Sequence, residues 1–321
     1  MEVNNLKKIF FTALIIFLLP LTVWAAGDSA NSKLIEIEQD IYGAEQTGAI
    51  LDRINRLEKD FSGKNLQGNM NVRINSIYEI LYGNIGTPSI LAKINAVEWN
   101  VYHEVSGESI IKRLEKIERE ILGKTSENTL IKRIDTLAQA SFGTEQIPLA
   151  EMQIPNDILI KVALTKTIDS KTLQVDDVID FKVAENVFID GKLIFAKGLR
   201  GKGTVASVRK AKGWTGTNGK IKIDFQTLKC IDGNNIEIYV GEESKKEMTA
   251  QEMISGASLV GMNLNDDWNK VMVRGKNIEI PAGTEFFVQT KKTVNIYGLQ
   301  LETADLNFNE EDNGGLSNVE D

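Results

Sequence analysis

Between residues 30 and 149 the apolar positions recur at spacings of 4, 3 and 4, and that pattern returns every 20 residues. Ile50, Ile54, Leu57 and Phe61 show the unit: they fall on one stripe of a helix of three to four turns. Six copies share the pattern. One apolar column is Leu34, Ile54, Ile74, Ile94, Leu114 and Ile134, and the next is Ile37, Leu57, Ile77, Val97, Ile117 and Leu137. A third is Ile41, Phe61, Leu81, Val101 and Ile121, broken by Ser141. Ser29, Ala49, Asn69, Ser89, Ser109 and Thr129 precede the helices, and all but Ala49 can accept from the orphan N–H groups of a first turn. Gly43, Gly63, Gly83, Gly123 and Gly143 follow them, where glycine takes the left-handed conformation that ends a helix; His103 holds the remaining slot. A helix this short is marginal alone in water, so the stripes must bury against one another. The regular stop and start signals favour a solenoid-like stack within one chain over stripes pooled from several chains.

The pattern changes near Pro148. From Ile154 onward β-branched residues and alternation dominate. Strands are expected at 158–164, 178–183, 204–208, 220–226, 235–240, 271–273, 285–290 and 293–297. Asp232-Gly233-Asn234 reads as a hairpin turn. Thr249-Ala-Gln-Glu252 has the spacing of a capping box and predicts one short helix from there. The expected fold is therefore α + β in separate domains: six helical repeats over 30–149, then a mainly antiparallel β domain over 150–301, a small barrel or a sandwich. Residues 302–321 form an acidic tail without a core pattern.

At the other end, Lys7 and Lys8 precede an apolar run from Ile9 to Val23, and Val23-Trp24-Ala25 supplies small residues for a cut after Ala25. That is the layout of a signal peptide over 1–25, and the run is short for a bilayer span. The expectation is an extracytoplasmic protein whose membrane contact is limited to an uncleaved leader.

Composition narrows the chemistry. The formal net charge of −8 argues against nucleic acid as a general partner. One cysteine, Cys230, and one histidine, His103, are too few for a zinc site of that type and preclude an internal disulfide. His103 reads as a drifted repeat position and Cys230 as a small buried side chain. The pairs Asp176-Asp177 and Asp266-Asp267 stand in turn-like contexts, where solvated turns are expected rather than acid–base catalysis. No cofactor, metal or catalytic residue is expected.

Two basic features are candidate contacts. The repeats carry a basic column, Lys33, Arg53, Arg73, Lys93, Arg113 and Arg133, in a first turn where positive charge opposes the helix dipole. The acidic column Glu38, Glu58, Glu98 and Glu118 can offset it across neighbouring helices; the alternative is a ladder of cations facing an anionic envelope polymer. The second feature is the hairpin Gly213–Gly219, flanked by Arg209, Lys210 and Lys212. It lacks the ending and the following helix of a phosphate loop. Either it is a mobile turn, or Trp214 stacks on a sugar while the cations meet acidic groups.

The aligned segments 50–57, 70–77, 90–97, 110–117 and 130–137 resemble repeats of exported proteins from diderm Firmicutes. Ile154–Leu164, Ile194–Gly198, Gly213–Gly219 and Asp232-Gly233 are distantly similar, in order, to the carboxy-terminal β-barrel of TrbI-like conjugative-transfer proteins. The resemblances imply a non-enzymatic envelope protein, with the repeats as spacer or assembly surface and the β domain as docking module. Its expected partner is an envelope protein or cell-wall polymer, with self-association through the repeats as a further expectation. Carbohydrate binding on a helical stalk is the alternative.

Overall fold

A computed structural model describes residues 29–212, 219–255 and 277–301. The leader 1–25, Trp214, Asp266-Asp267, the strand expected at 271–273 and the tail lie outside them. Among the described residues, no helix is long and apolar enough to cross a membrane.

The repeats form six helices of 13 residues each: α1 (Ala30–Tyr42), α2 (Ile50–Ser62), α3 (Met70–Tyr82), α4 (Ile90–Tyr102), α5 (Ile110–Leu122) and α6 (Leu130–Phe142). The three apolar columns meet in one buried cluster. His103 takes the left-handed conformation that glycine takes in four of the other repeats, with φ of 53°. Helix α3 ends differently, since Gly83 is extended there.

The array does not extend as a solenoid of nearest neighbours. Helix α1 packs on α3 and α5, and α2 packs on α3 and α6. The chain therefore coils back on itself, so that a helix meets the one four repeats later. The caps show how. Ser29, Asn69 and Ser89 accept from first-turn N–H groups, but Ser109 and Thr129 do not. Those two residues lie against the C-terminal glycines of α1 and α2: a Cβ on Gly43 would stand 3.4 Å from Ser109 Cβ, and one on Gly63 3.3 Å from Thr129 Cγ2.

The β domain contains twelve strands among the described residues, and six of them close a barrel. In chain order the barrel strands are β2 (Leu159–Leu164), β4 (Val178–Val183), β7 (Arg200–Arg209), β8 (Lys220–Lys229), β9 (Asn235–Tyr239) and β11 (Glu285–Thr290). Around the barrel they run β11-β2-β4-β7-β8-β9, with antiparallel neighbours. Alternate residues point inward, as in β4, where Ile179, Phe181 and Val183 are buried. Phe181, Phe225 and Phe286 fill the centre with tilted and edge-to-face contacts. Gly201 is required beside them, because a Cβ there would overlap the Phe181 ring.

A second sheet runs β1 (Leu149–Ile154), β12 (Val294–Gln300), β6 (Lys192–Phe195) and β5 (Val187–Ile189). Two short strands, β3 (Ile168–Asp169) and β10 (Glu279–Ile280), pair by themselves. Helix α7 (Glu242–Ser255) packs on β11. It begins at Glu242, seven residues before the expected capping box. Thr249 stands inside the helix, where its hydroxyl donates to the Lys245 carbonyl at 2.8 Å. The backbone of Gly241 and the Ser244 contact to Gln289 start this helix against the barrel, and that tertiary contact outranks the local signal.

Candidate functional site

The two regions meet through the fourth repeat. Helix α4 is buried on both sides: Ile90, Ile94 and Val97 join the array core, while Ala96 and Trp99 join the barrel core. Trp99 Nε1 donates to Asn186 Oδ1 at 3.0 Å, and its ring meets Phe188 edge to face. Asn95 Nδ2 donates to the Ile231 carbonyl at 2.9 Å. Backbone joins backbone where Val105 N–H donates to the Lys197 carbonyl at 2.8 Å. Gly198, with φ of 91°, is needed there, because a Cβ would strike the Val105 carbonyl.

The hairpin turn after β8 completes the joint. Asp232 is fully buried, and its carboxylate accepts from the N–H of Asn234, the amide of Asn234 and the N–H of Tyr297, each at 3.0 Å. The Cys230 thiol donates to it at 2.9 Å. Burial raises the Asp232 carboxyl above the ordinary carboxylate range, and these donors pull it back. Burial also pushes the Cys230 thiol well up, as expected for a cysteine with a packing role. The Asp232 carbonyl in turn accepts from Asn84 Nδ2 at 3.0 Å and from the Ser89 hydroxyl.

This joint leaves a cleft of about 900 Å³ between α1, the start of α5 and the barrel. Its barrel wall carries Arg200, Lys202 and Lys229, with Asp180 opposite Lys202 on the neighbouring strand. Strand register sets that wall. Lys182 pairs with Arg200, and Gly201 pairs with Leu228, which places Lys229 beside Arg200. Arg200 and Lys229 thus stand side by side on adjacent strands, an arrangement that costs stability unless an anion meets it; Lys182, on the other side of Arg200, does not line the cleft. Arg200 reaches over Gly107, where a Cβ would overlap its guanidinium. The array wall carries Glu36, Asp40, Glu45, Glu108 and Lys112. Asp40 is held by the Tyr82 hydroxyl at 2.8 Å and Glu45 by Arg53 at 3.3 Å. Burial, first, and then Asp40 raise the Tyr82 hydroxyl far above its ordinary range. Among the described residues Arg200, Lys202, Lys229 and Lys112 have no ion-pair partner.

The basic column lies elsewhere, and most of it is committed inside the array. Arg53 meets Glu38, Arg73 meets Glu58, Arg113 meets Glu98 and Arg133 meets Glu118, at 2.5–2.7 Å, each pair joining one repeat to the next. Arg73 and Arg113 also donate to Asn55 and Asn95 at 2.7 Å. Burial lowers the Arg113 guanidinium, opposed by the Glu98 carboxylate. Lys93 lacks such a pair because Tyr78 stands where an acid would be. Lys33 instead donates to Asn75 and lies 4.7 Å over the Tyr78 ring.

Arg209, Lys210 and Lys212 lie at the far end of β7 from Arg200, nine residues along a strand, or roughly 30 Å. The structure does not bring them into the cleft. Asp176 occupies a turn with φ of 71°, in agreement with its reading as a turn residue. Among the described residues no cluster of histidine, cysteine and acidic side chains is placed to hold a metal. The cleft cations escaped sequence reading because they gather only through strand register. The visible signal was weak: Arg200 and Lys202 alternate with Gly201 and Gly203.

No protein-family model matches the chain, and no curated protein sequence does. Among solved structures, the chain is similar to ComB10 of the Com type IV secretion system of Helicobacter pylori. The identity is 15%, over 44% of this chain and 88% of that one, with a TM-score of 0.24. A likeness that weak fixes neither fold nor function.

Proposed function

We propose that the chain is an exported, non-enzymatic interaction protein of the cell envelope, which holds a polypeptide segment of a partner in the cleft between array and barrel. The observation that carries this reading is the barrel wall of the cleft, where Arg200 and Lys229 stand side by side on adjacent strands with Lys202 next along β7, all three without ion-pair partners among the described residues. The opposite wall offers Glu36 and Glu108, which make no ion pair among the described residues. Charges of both signs suit a peptide of mixed charge better than a uniformly acidic polymer. Its acidic side chains would face the barrel, where complementary charge sets register and specificity. The leader-like segment at 1–25 supports export, and the joint at α4 supports a preformed cleft, which lowers the cost of ordering on binding.

The test is a titration with three synthetic peptides of equal length, acidic, basic and alternating in charge, read by fluorescence anisotropy. The acidic and alternating peptides are expected to bind, more weakly as salt rises. The pair Arg200→Glu with Lys202→Glu is expected to lower affinity by about tenfold or more. Equal binding by that variant, or a preference for the basic peptide, rejects the cleft as the site. Export is tested separately by fractionation: a mature product that stays in the cytosol with residues 1–25 attached rejects it.

A further inference from the structure

The first helical position is a large apolar residue in five repeats: Ile50, Met70, Ile90, Ile110 and Leu130. Their surroundings differ. Ile110 and Leu130 are 1% and 2% exposed. The helices that begin there, α5 and α6, pack against α1 and α2, whose C-terminal glycines lie on Ser109 and Thr129. Ile90 is 6% exposed, and the β8–β9 turn takes the covering place: the Asp232 carbonyl meets Ser89, and Gly233 lies against Leu91. Ile50 and Met70 have no such cover and are 42% and 46% exposed, with Leu51 and Val72 beside them at 48% and 47%.

The opposite end of the coil is open as well. A Cβ on Gly123 or Gly143 would meet nothing within 4 Å. Leu122, at the position Tyr42 holds in the first repeat, is 37% exposed. One end of the array therefore presents uncovered helix starts; at the other, among the described residues, Leu122, Gly123 and Gly143 stay open, while Phe142 of α6 packs partly against both cores.

We propose that the coil continues from one copy of the chain to the next. The C-terminal ends of α5 and α6 of one copy seat on the N-terminal ends of α2 and α3 of another. The contact is the one that already joins α1 to α5 and α2 to α6 within the chain. The place above α4 stays filled by the β8–β9 turn, which fixes the register of the joint. Two different patches meet, so the contact is heterologous and copies add head to tail. This inference goes beyond the cleft reading and does not depend on it.

Sedimentation velocity of the full chain across a wide concentration range tests the joint. The wild type is expected to form a series of oligomers that lengthens with concentration. Leu51→Glu with Val72→Glu blocks one end, and Leu122→Glu blocks the other, so each variant alone is expected to be monomeric. Mixed in equal amounts they are expected to give a dimer that grows no further, because one intact end of each kind remains. Circular dichroism checks that the helices persist, and Leu51→Gln and Leu122→Gln replace any glutamate variant that loses them. A wild type that stays monomeric overturns the proposal. So does a mixture of the two variants that stays monomeric. Association that survives both substitutions, as clustering through the apolar run 9–23 would, also overturns it.

Discussion

The array and the barrel treat buried polar groups in opposite ways. Four Arg–Glu pairs lie inside or at the edge of the array, each linking side chains 15 residues apart on consecutive helices. In the barrel domain the buried polar residues Ser170, Asp232, Gln289 and Thr290 each bind backbone groups, and Ser244 binds Gln289. The difference follows from the elements. A helix satisfies its own backbone, so its polar side chains are free to specify which helix comes next. A strand depends on its neighbour for backbone pairing, so buried polar side chains serve where the ladder ends.

The largest expected effect breaks one pair. Glu98→Ala leaves the Arg113 charge buried without a carboxylate and is expected to cost about 4 kcal/mol in urea unfolding. Replacing both residues with apolar side chains, Glu98→Leu with Arg113→Met, is expected to cost far less, because the uncompensated charge is gone. If single and double variants lose equal stability, packing rather than charge pairing holds these helices together.

A second variant sharpens the boundary between the regions. Trp99 sits on an array helix but packs in the barrel core, 3% exposed. Trp99→Ala is expected to cost about 3 kcal/mol, the low end for such a truncation, because an interface can partly close. Calorimetry is then expected to show two unfolding transitions, array and barrel, in the variant and one in the wild type. A single transition in the variant would mean that the Val105 and Asn95 contacts couple the regions without the indole.

Those two cases mark what was legible in the sequence. The helices were legible to within a residue, because their caps, stripes and glycines are local and repeated six times. The pairing of basic and acidic columns was legible for the same reason. The coil was not legible, since contacts such as Gly43 on Ser109 span several repeats. In the β domain, strands such as 178–183 and 285–290 were visible from alternation. Barrel closure by β9 on β11 was not, nor the strand at 149–154, which pairs with 294–299 across nearly the whole domain. The cleft combined both failures, because it needs the coil, the barrel register and the α4 joint at once. Trp99 departs from the polar residues at its place in the other repeats, but a departure alone does not name its partner, and Asn95 matches Asn55 and Asn75 and gave no signal at all.

A smaller effect is expected at the hairpin turn, where the barrel domain uses its one buried carboxylate among the described residues. Asp232→Asn misplaces one acceptor among four donors and is expected to cost about 1–2 kcal/mol. Its pH dependence has a definite sign. Burial raises the folded-state carboxyl above the unfolded value of about 3.9, so between those two values the folded chain holds more protons. This group's contribution is fully present below the unfolded value and is lost as pH rises through the folded one. The stability difference between wild type and Asp232→Asn should therefore grow on acidification from neutral pH toward 4, read from urea midpoints. A difference that shrinks would mean that the donors outweigh burial.

The smallest effect comes from the residue that most resembles Arg113 by sequence and least by surroundings. Arg119 lies on the same helix, α5, and meets Glu115 at 2.9 Å, a separation close to the 2.7 Å between Arg113 and Glu98. Distance alone would rank the two pairs together. But the Arg119 side chain is 60% exposed and that of Glu115 37%, against 4% and 1% for the buried pair. Water already solvates both exposed charges and screens their attraction, so removing one strands nothing. Arg119→Ala is expected to change stability by a few tenths of a kcal/mol, and by still less at high salt. A loss approaching that of Glu98→Ala would show that charge along the outer face of α5, rather than charge between repeats, orders the array.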